Sequence, residues 1–216
     1  DRCVNEQAAE FCALITRDPV TDRITLIGDI FVNVAAAQVE GLDAEVSYAF
    51  DGLFTDRDTL STRLLASWLF ERSETNSSGV TTDYAGQTGA RQSDGTYFPY
   101  ADFKATASLT YRLGGVSALL QGRYIGEGIQ DATMVEGSTI VDNSVDDVLY
   151  VDVRLGYDFE LAGAEAEVFL NATNLFDADP PLTPSFLAFT GISTQTNPAV
   201  YDVLGRRYTA GVKLKF

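Results

Sequence analysis

Seven runs of this chain, each about nine to thirteen residues long, carry an apolar or small residue at every second position, and no other feature narrows its fold as far. A period of two puts one face of a strand against oil and the other against water, whereas a helix would repeat at 3.6. Leu42, Ala44, Val46, Tyr48 and Phe50 alternate with Gly41, Asp43, Glu45, Ser47 and Ala49. Leu60, Thr62, Leu64, Ala66, Trp68 and Phe70 oppose Ser61, Arg63, Ser67 and Glu71. The run Ala101, Phe103, Ala105, Ala107, Leu109, Tyr111, Leu113 is set against Asp102, Lys104, Thr106, Ser108, Thr110 and Arg112. The pattern recurs over 116–126, 149–159, 164–174 and 208–216.

A soluble β-sandwich also alternates, so three further features select a bilayer. Globular strands usually stop near 5 or 6 residues, while crossing a bilayer at a tilt takes about 9 to 11. Aromatics gather near strand ends (Tyr48 and Phe50, Trp68 and Phe70, Tyr157 and Phe159), as in interfacial girdles. Both charge signs stand on the polar face in Arg63, Asp102, Lys104, Arg154 and Glu167, which a dry core would not bury unpaired and a wet lumen accepts.

Short and long connections alternate strictly. Turns near Asp51 to Asp58, Gly114 to Gly115 and Glu160 to Gly163 are short, while 73–100, 127–147 and 176–205 are long and rich in Gly, Ser, Thr, Asn, Asp and Pro. Outer-membrane barrels have this asymmetry, with short turns in the periplasm and long loops outside. Starting from a downward strand at Phe31 to Phe50, seven strands result, and Phe216 ends on the periplasmic side. Seven antiparallel strands cannot close a ring without a parallel seam. The expectation is an all-β, transmembrane, antiparallel up-and-down barrel sector whose two edges pair with polypeptide outside residues 1–216.

The charge balance, 31 acidic against 15 basic side chains for a net −16, argues against nucleic acid, whose phosphates need clustered Lys and Arg. Histidine is absent, which removes imidazole acid/base chemistry and the usual Ser-His-Asp triad and argues against an enzyme. No cofactor is implied. Cys3 and Cys12 could supply only half of a zinc site. A short-range disulfide is the better reading of the pair, with two unrelated thiols as the alternative. No apolar stretch of about 20 residues exists for a transmembrane helix. The chain opens on Asp1-Arg2-Cys3 without an apolar leader and reads as mature or as a fragment.

The ending from Tyr201-Asp202-Val203-Leu204-Gly205-Arg206-Arg207 through Tyr208 to Phe216 closely resembles that of TonB-dependent outer-membrane receptors. Three further stretches resemble the same family in order: Cys12 through Arg17-Asp18-Pro19; Asn33 followed by Val39-Glu40-Gly41-Leu42-Asp43; and Asn171-Ala172-Thr173-Asn174-Leu175-Phe176-Asp177. The resemblance implies a 22-stranded barrel in a Gram-negative outer membrane, filled by a plug whose coupling box engages TonB. It implies import of a scarce nutrient: a siderophore, haem, cobalamin, an oligosaccharide or a peptide. Residues 1–216 would be the C-terminal portion, with 1–30 an extracellular loop holding the cysteine pair and 31–216 the strands. Plug and TonB box would lie in the remainder of the receptor, so these residues should transport nothing unaided. A passive porin-like barrel is the competing function, and a soluble sandwich adhesin the third.

The stripe Tyr208, Ala210, Val212, Leu214 and Phe216 faces lipid and, by the resemblance, signals to the barrel-assembly machinery. Asn174-Leu175-Phe176-Asp177 should cap a strand as it leaves the membrane. Glu127, Asp131, Glu136, Asp142, Asp146 and Asp147 make an acidic loop; its spacing matches no calcium loop, so a solvated loop outweighs a weak metal site at Asp142, Asp146 and Asp147. The loop aromatics Tyr84, Tyr97, Phe98, Tyr100, Phe186 and Phe189 either line a ligand pocket or pack the loops together.

Overall fold

The computed structural model describes residues 9–28, 36–76, 79–89, 99–161, 163–187 and 192–215. They fall into two units, Asp1–Ala35 and Ala36–Phe216.

In the smaller unit, one helical turn, α1 (Ala9–Cys12), precedes a hairpin of β1 (Ile15–Arg17) and β2 (Ile24–Ile27). Asp18 closes that hairpin by accepting the backbone N–H groups of Val20 and Thr21 at 2.9 and 2.8 Å. Those bonds to the charged form hold its carboxyl below the ordinary value. Within the stretch expected as an extracellular loop the chain has local structure, because an Asx turn gives it a reversal that periodicity does not reveal. Cys12 is half-buried and is not a free thiol. Cys3 lies outside the described residues.

The larger unit contains β3 (Ala36–Asp51), β4 (Asp58–Thr75), β5 (Thr81–Asp83), β6 (Phe103–Leu113), β7 (Val116–Ile125), β8 (Gly128–Ile129), β9 (Ser144–Val145), β10 (Val148–Leu161), β11 (Ala164–Thr173), β12 (Ser185–Leu187), β13 (Ile192–Thr194) and β14 (Arg207–Lys215). Seven of them form an antiparallel wall in the order β14-β11-β10-β7-β6-β4-β3, with β5 added to β4. The wall is open: among the described residues, β3 pairs only with β4, and β14 only with β11. The first strand's expected start at Phe31 lies outside the described residues. The second runs on to Thr75, past the expected Glu71, because β5 folds back and pairs Ser73, Glu74 and Thr75.

Register carries the alternation across the whole wall. Thr62, Leu109, Leu120, Val153, Ala172 and Tyr208 stand in one cross-sheet row. The adjacent row is Ser61, Thr110, Leu119, Arg154, Asn171 and Thr209. A slip of one residue would exchange the two faces. On the apolar face Leu42, Val46, Leu64, Leu109, Leu120, Leu155, Leu170 and Val212 are each at least 44% exposed, a contiguous oily surface that requires a non-aqueous neighbour. From Leu60 to Trp68 on β4 the band runs about 26 Å along the strand, which at a barrel strand's tilt spans most of a lipid-facing belt.

Aromatics mark both edges of that band. Tyr48 and Phe50 meet edge-on at the short-turn end, as do Phe54 and Tyr111, while Trp68, Phe103 and Tyr124 contact in series at the long-loop end. Each edge holds a tyrosine whose hydroxyl reaches an aspartate: Tyr111 donates to Asp58 at 3.0 Å, and Tyr124 bonds Asp147. An amphipathic ring with one wet end suits an interface. Above the band a bulge leaves Phe70 unpaired, since Glu40 pairs with Glu71 and Gly41 with Leu69. A Cβ on Gly41 would lie 2.6 Å from the Trp68 carbonyl oxygen, so the bulge requires glycine there. Beyond it the outer face turns polar, with Gln38 donating to Glu71 at 2.7 Å.

The wall has almost no interior of its own. Its buried apolar cluster, Ala101, Ile125, Val145, Val148, Tyr150 and Tyr201, sits at the long-loop end, where loop residues fold over the polar face.

Candidate functional site

The polar face is laced by ion pairs between neighbouring strands. Glu45 on β3 holds Arg63 Nε on β4 at 2.9 Å, and Asp152 on β10 holds Arg123 Nε on β7 at 3.1 Å. Arg154 on β10 pairs with Glu167 and donates to Asn171 Oδ1 at 3.1 Å, both on β11; Lys215 on β14 meets Glu165 at 3.1 Å. These side chains stay partly wet, so each pair contributes little net energy and acts mainly to fix where charge sits.

One stack adds shape. The Arg154 guanidinium lies 4.3 Å from the centre of the Phe169 ring, and a Cβ on Gly211 would meet that ring at 2.5 Å. The tip of the Phe169 ring therefore lies over the backbone of β14 at Gly211, and glycine there is what admits it.

At the long-loop end three connections meet: 76–102, 126–147 and 174–206. The third begins at Asn174, fully buried with φ +50°, whose amide both accepts from the Ala178 N–H at 2.9 Å and donates to the Ala178 carbonyl at 3.0 Å. Asp177 accepts the Arg206 N–H at 2.8 Å. The capping expected of Asn174 to Asp177 is thus present in the geometry. Asp58 performs a like duty at a short turn, where its buried carboxylate accepts Phe54 N–H at 3.0 Å, Thr55 N–H at 3.3 Å and the Tyr111 hydroxyl.

Of the loop aromatics, Tyr84 is buried and Tyr100 is half-buried, its ring centre 5.2 Å from the Arg72 guanidinium carbon. Both pack. Phe186 belongs to β12, and its side chain is not among those described; Tyr97, Phe98 and Phe189 lie outside the described residues. In the terminal stripe Tyr208, Ala210, Val212 and Leu214 are exposed on the apolar face, and Phe216 lies outside the described residues.

The acidic loop does not converge on an ion site. Asp142 is engaged by the hydroxyl and N–H of Ser144 at 2.7 and 2.9 Å, which lower its pKa, while Asp147 bonds Tyr124. Among the described residues no cluster of His, Cys, Asp or Glu could hold a metal. Asp142, Asp146 and Asp147, the weak metal possibility of the acidic loop, form no such cluster.

Residues that alternation could not single out join the loops. Asn197 is 2% exposed, and its Nδ2 donates to the Thr88 carbonyl at 3.0 Å, linking positions 109 apart in sequence. Tyr150 is fully buried, and its hydroxyl accepts the Asp202 N–H at 3.3 Å. Only the density of Asn, Thr and Tyr in otherwise loop-like segments hinted at such packing. The arrangement sets a face of paired charges beneath a polar loop layer.

In comparisons with known proteins, the family model described as "TonB dependent receptor-like, beta-barrel" matches residues 13–175. No curated protein and no solved structure matches the chain.

Proposed function

Because the chain belongs to the TonB-dependent receptor β-barrel family, we propose that it builds the C-terminal wall of an active importer in the outer membrane of a Gram-negative bacterium. The cargo is a scarce nutrient of the siderophore, haem, cobalamin, oligosaccharide or peptide kind. Energy comes from TonB acting through a plug carried by the rest of the receptor. The short turns and Lys215 face the periplasm, and the three long loops face the exterior.

The observation that carries this reading is the open seven-stranded wall with an oily band on one face and paired charges on the other. Such a wall has unpaired edges, which hydrocarbon does not tolerate, so β3 and β14 pair with further strands of the same receptor. The exposed stripe on β14 also supports its recognition by the barrel-assembly machinery.

The test is growth on each candidate nutrient at limiting concentration, comparing the wild type with strains lacking this receptor or TonB. Loss of growth on one nutrient in both strains supports the proposal. Growth that needs the receptor but not TonB, together with steady conductance by the full-length receptor in planar bilayers, would establish a passive pore instead.

A further inference from the structure

The three long loops are joined pairwise. Between 76–102 and 126–147, the Thr88 N–H donates to the Ile129 carbonyl at 3.0 Å, the Ile129 N–H to the Gly86 carbonyl at 2.8 Å, and the Ala132 N–H to Gln87 Oε1 at 2.8 Å. Between 126–147 and 174–206, Gln130 Nε2 donates to the Pro184 carbonyl at 2.9 Å. The bond from Asn197 to the Thr88 carbonyl closes the third side.

Asn197 sits where these links converge. Its own N–H donates to Thr183 Oγ1 at 2.7 Å, its Oδ1 accepts the Ala199 N–H at 3.1 Å, and its carbonyl accepts the Tyr201 N–H at 3.1 Å. Thr88, Gln87, Thr183 and Asn197 are all buried, so breaking one of these bonds strands a polar group away from water. Beneath them Tyr201 from the third loop packs with Val145 of the second and Ala101 of the first, against Ile125, Val148 and Tyr150 of the wall.

Surface loops are ordinarily the least coupled parts of a protein and open one at a time. Here no loop can leave without exposing groups that belong to the other two. We propose that the three long loops form one cooperative layer over the polar face, latched by Asn197, which opens and closes as a unit. Access to the wall beneath is then governed by a single equilibrium shared by residues 84–89, 129–145, 183–187 and 192–202. This inference holds whatever the cargo, and does not depend on energy coupling.

The test is hydrogen exchange of the full-length receptor in detergent micelles, for the wild type, Asn197→Ala and Gln130→Ala. Asn197→Ala should accelerate exchange about fivefold in peptides from all three loops, the factor expected for one net hydrogen bond. That includes peptides spanning 131–145, none of which is among those hydrogen-bond partners of Asn197, while peptides from the middle of β6, β7 and β10 should be unchanged. Gln130→Ala, which removes the bond to the Pro184 carbonyl, should accelerate exchange around Thr88 as well as around its own two loops. Acceleration confined to 183–202 in the first variant, or to the vicinity of Gln130 and Pro184 in the second, would overturn the proposal.

Discussion

The carboxylate of Asp152 accepts the backbone N–H of Asn174 at 2.9 Å, while its other oxygen holds Arg123 at 3.1 Å. One side chain on the polar face therefore ties β7, β10 and the departure of the chain from β11. By alternation alone Asp152 is a solvated lumen charge, at which a lysine should cost little. The structure corrects that expectation, because a lysine there would face Arg123 and leave the Asn174 N–H without its acceptor.

Lysine substitutions should consequently sort into three classes. Leu109→Lys and Val153→Lys, in the middle of the oily band, should each cost about 2 to 4 kcal/mol, and Thr106→Lys on the polar face far less. Asp152→Lys should fall nearer the first class despite facing water. Denaturant titration of the full-length receptor refolded in lipid vesicles measures all four. Equal penalties for Leu109→Lys and Thr106→Lys would show that the assigned faces are wrong.

Asn174 adopts φ +50°, a left-handed conformation open to asparagine and glycine and poorly suited to alanine. Asn174→Ala loses the backbone preference and both bonds to Ala178, at a cost of about 2 to 3 kcal/mol. Asn174→Gly keeps the conformation and should cost about 1 kcal/mol less in the same assay. If the two variants are equally unstable, the side-chain bonds alone matter at this position.

Strand count, strand faces, the short and long connections and the open edges were legible because each follows from period-two alternation and turn chemistry, which are local. The Phe70 bulge, the Asp152 to Asn174 bond and the seat of Asn197 were not. Each depends on where a distant segment comes to rest: Thr88 and Asn197 share no periodic pattern, and nothing near Asp58 marks it as the acceptor for Tyr111. Tyr150 shows the limit most clearly. Alternation puts it on the wet face, yet it is fully buried because Tyr201 and Val145 fold over it.

The Phe169 ring and Gly211 should be thermodynamically coupled. Gly211→Ala places a methyl group against the ring and should cost about 1 to 3 kcal/mol. In a Phe169→Ala background the same change should be close to neutral. A double-mutant cycle by thermal or denaturant unfolding measures the difference, and additive effects would mean that the ring does not rest on β14.

Cys3 and Cys12 should be joined by a disulfide. Closing so short a loop contributes about 2 to 3 kcal/mol in the chain-entropy model, confined to the N-terminal unit. Alkylation of the unfolded receptor without reductant should modify neither cysteine, and with reductant both. Two labelled thiols in unreduced protein would leave the pair as unrelated cysteines.

Burial raises the pKa of the Tyr201 phenol above its ordinary value of 10, since ionisation would place a charge inside the cluster under the loop layer. A raised folded-state pKa means that the folded state keeps its proton where the unfolded segment would lose it. The stabilisation is thus fully present below pH 10 and is lost as pH rises from there through the folded-state pKa. Protease resistance of the loops in the full-length receptor should be flat up to that point and then decline. Other tyrosines and lysines titrate in the same range, so the informative quantity is the difference from Tyr201→Phe, which keeps the ring in the cluster and has no proton to lose. That variant should show a shallower alkaline decline. An identical decline in both proteins would mean that Tyr201 is neutral in the loop layer for reasons unconnected with its stability.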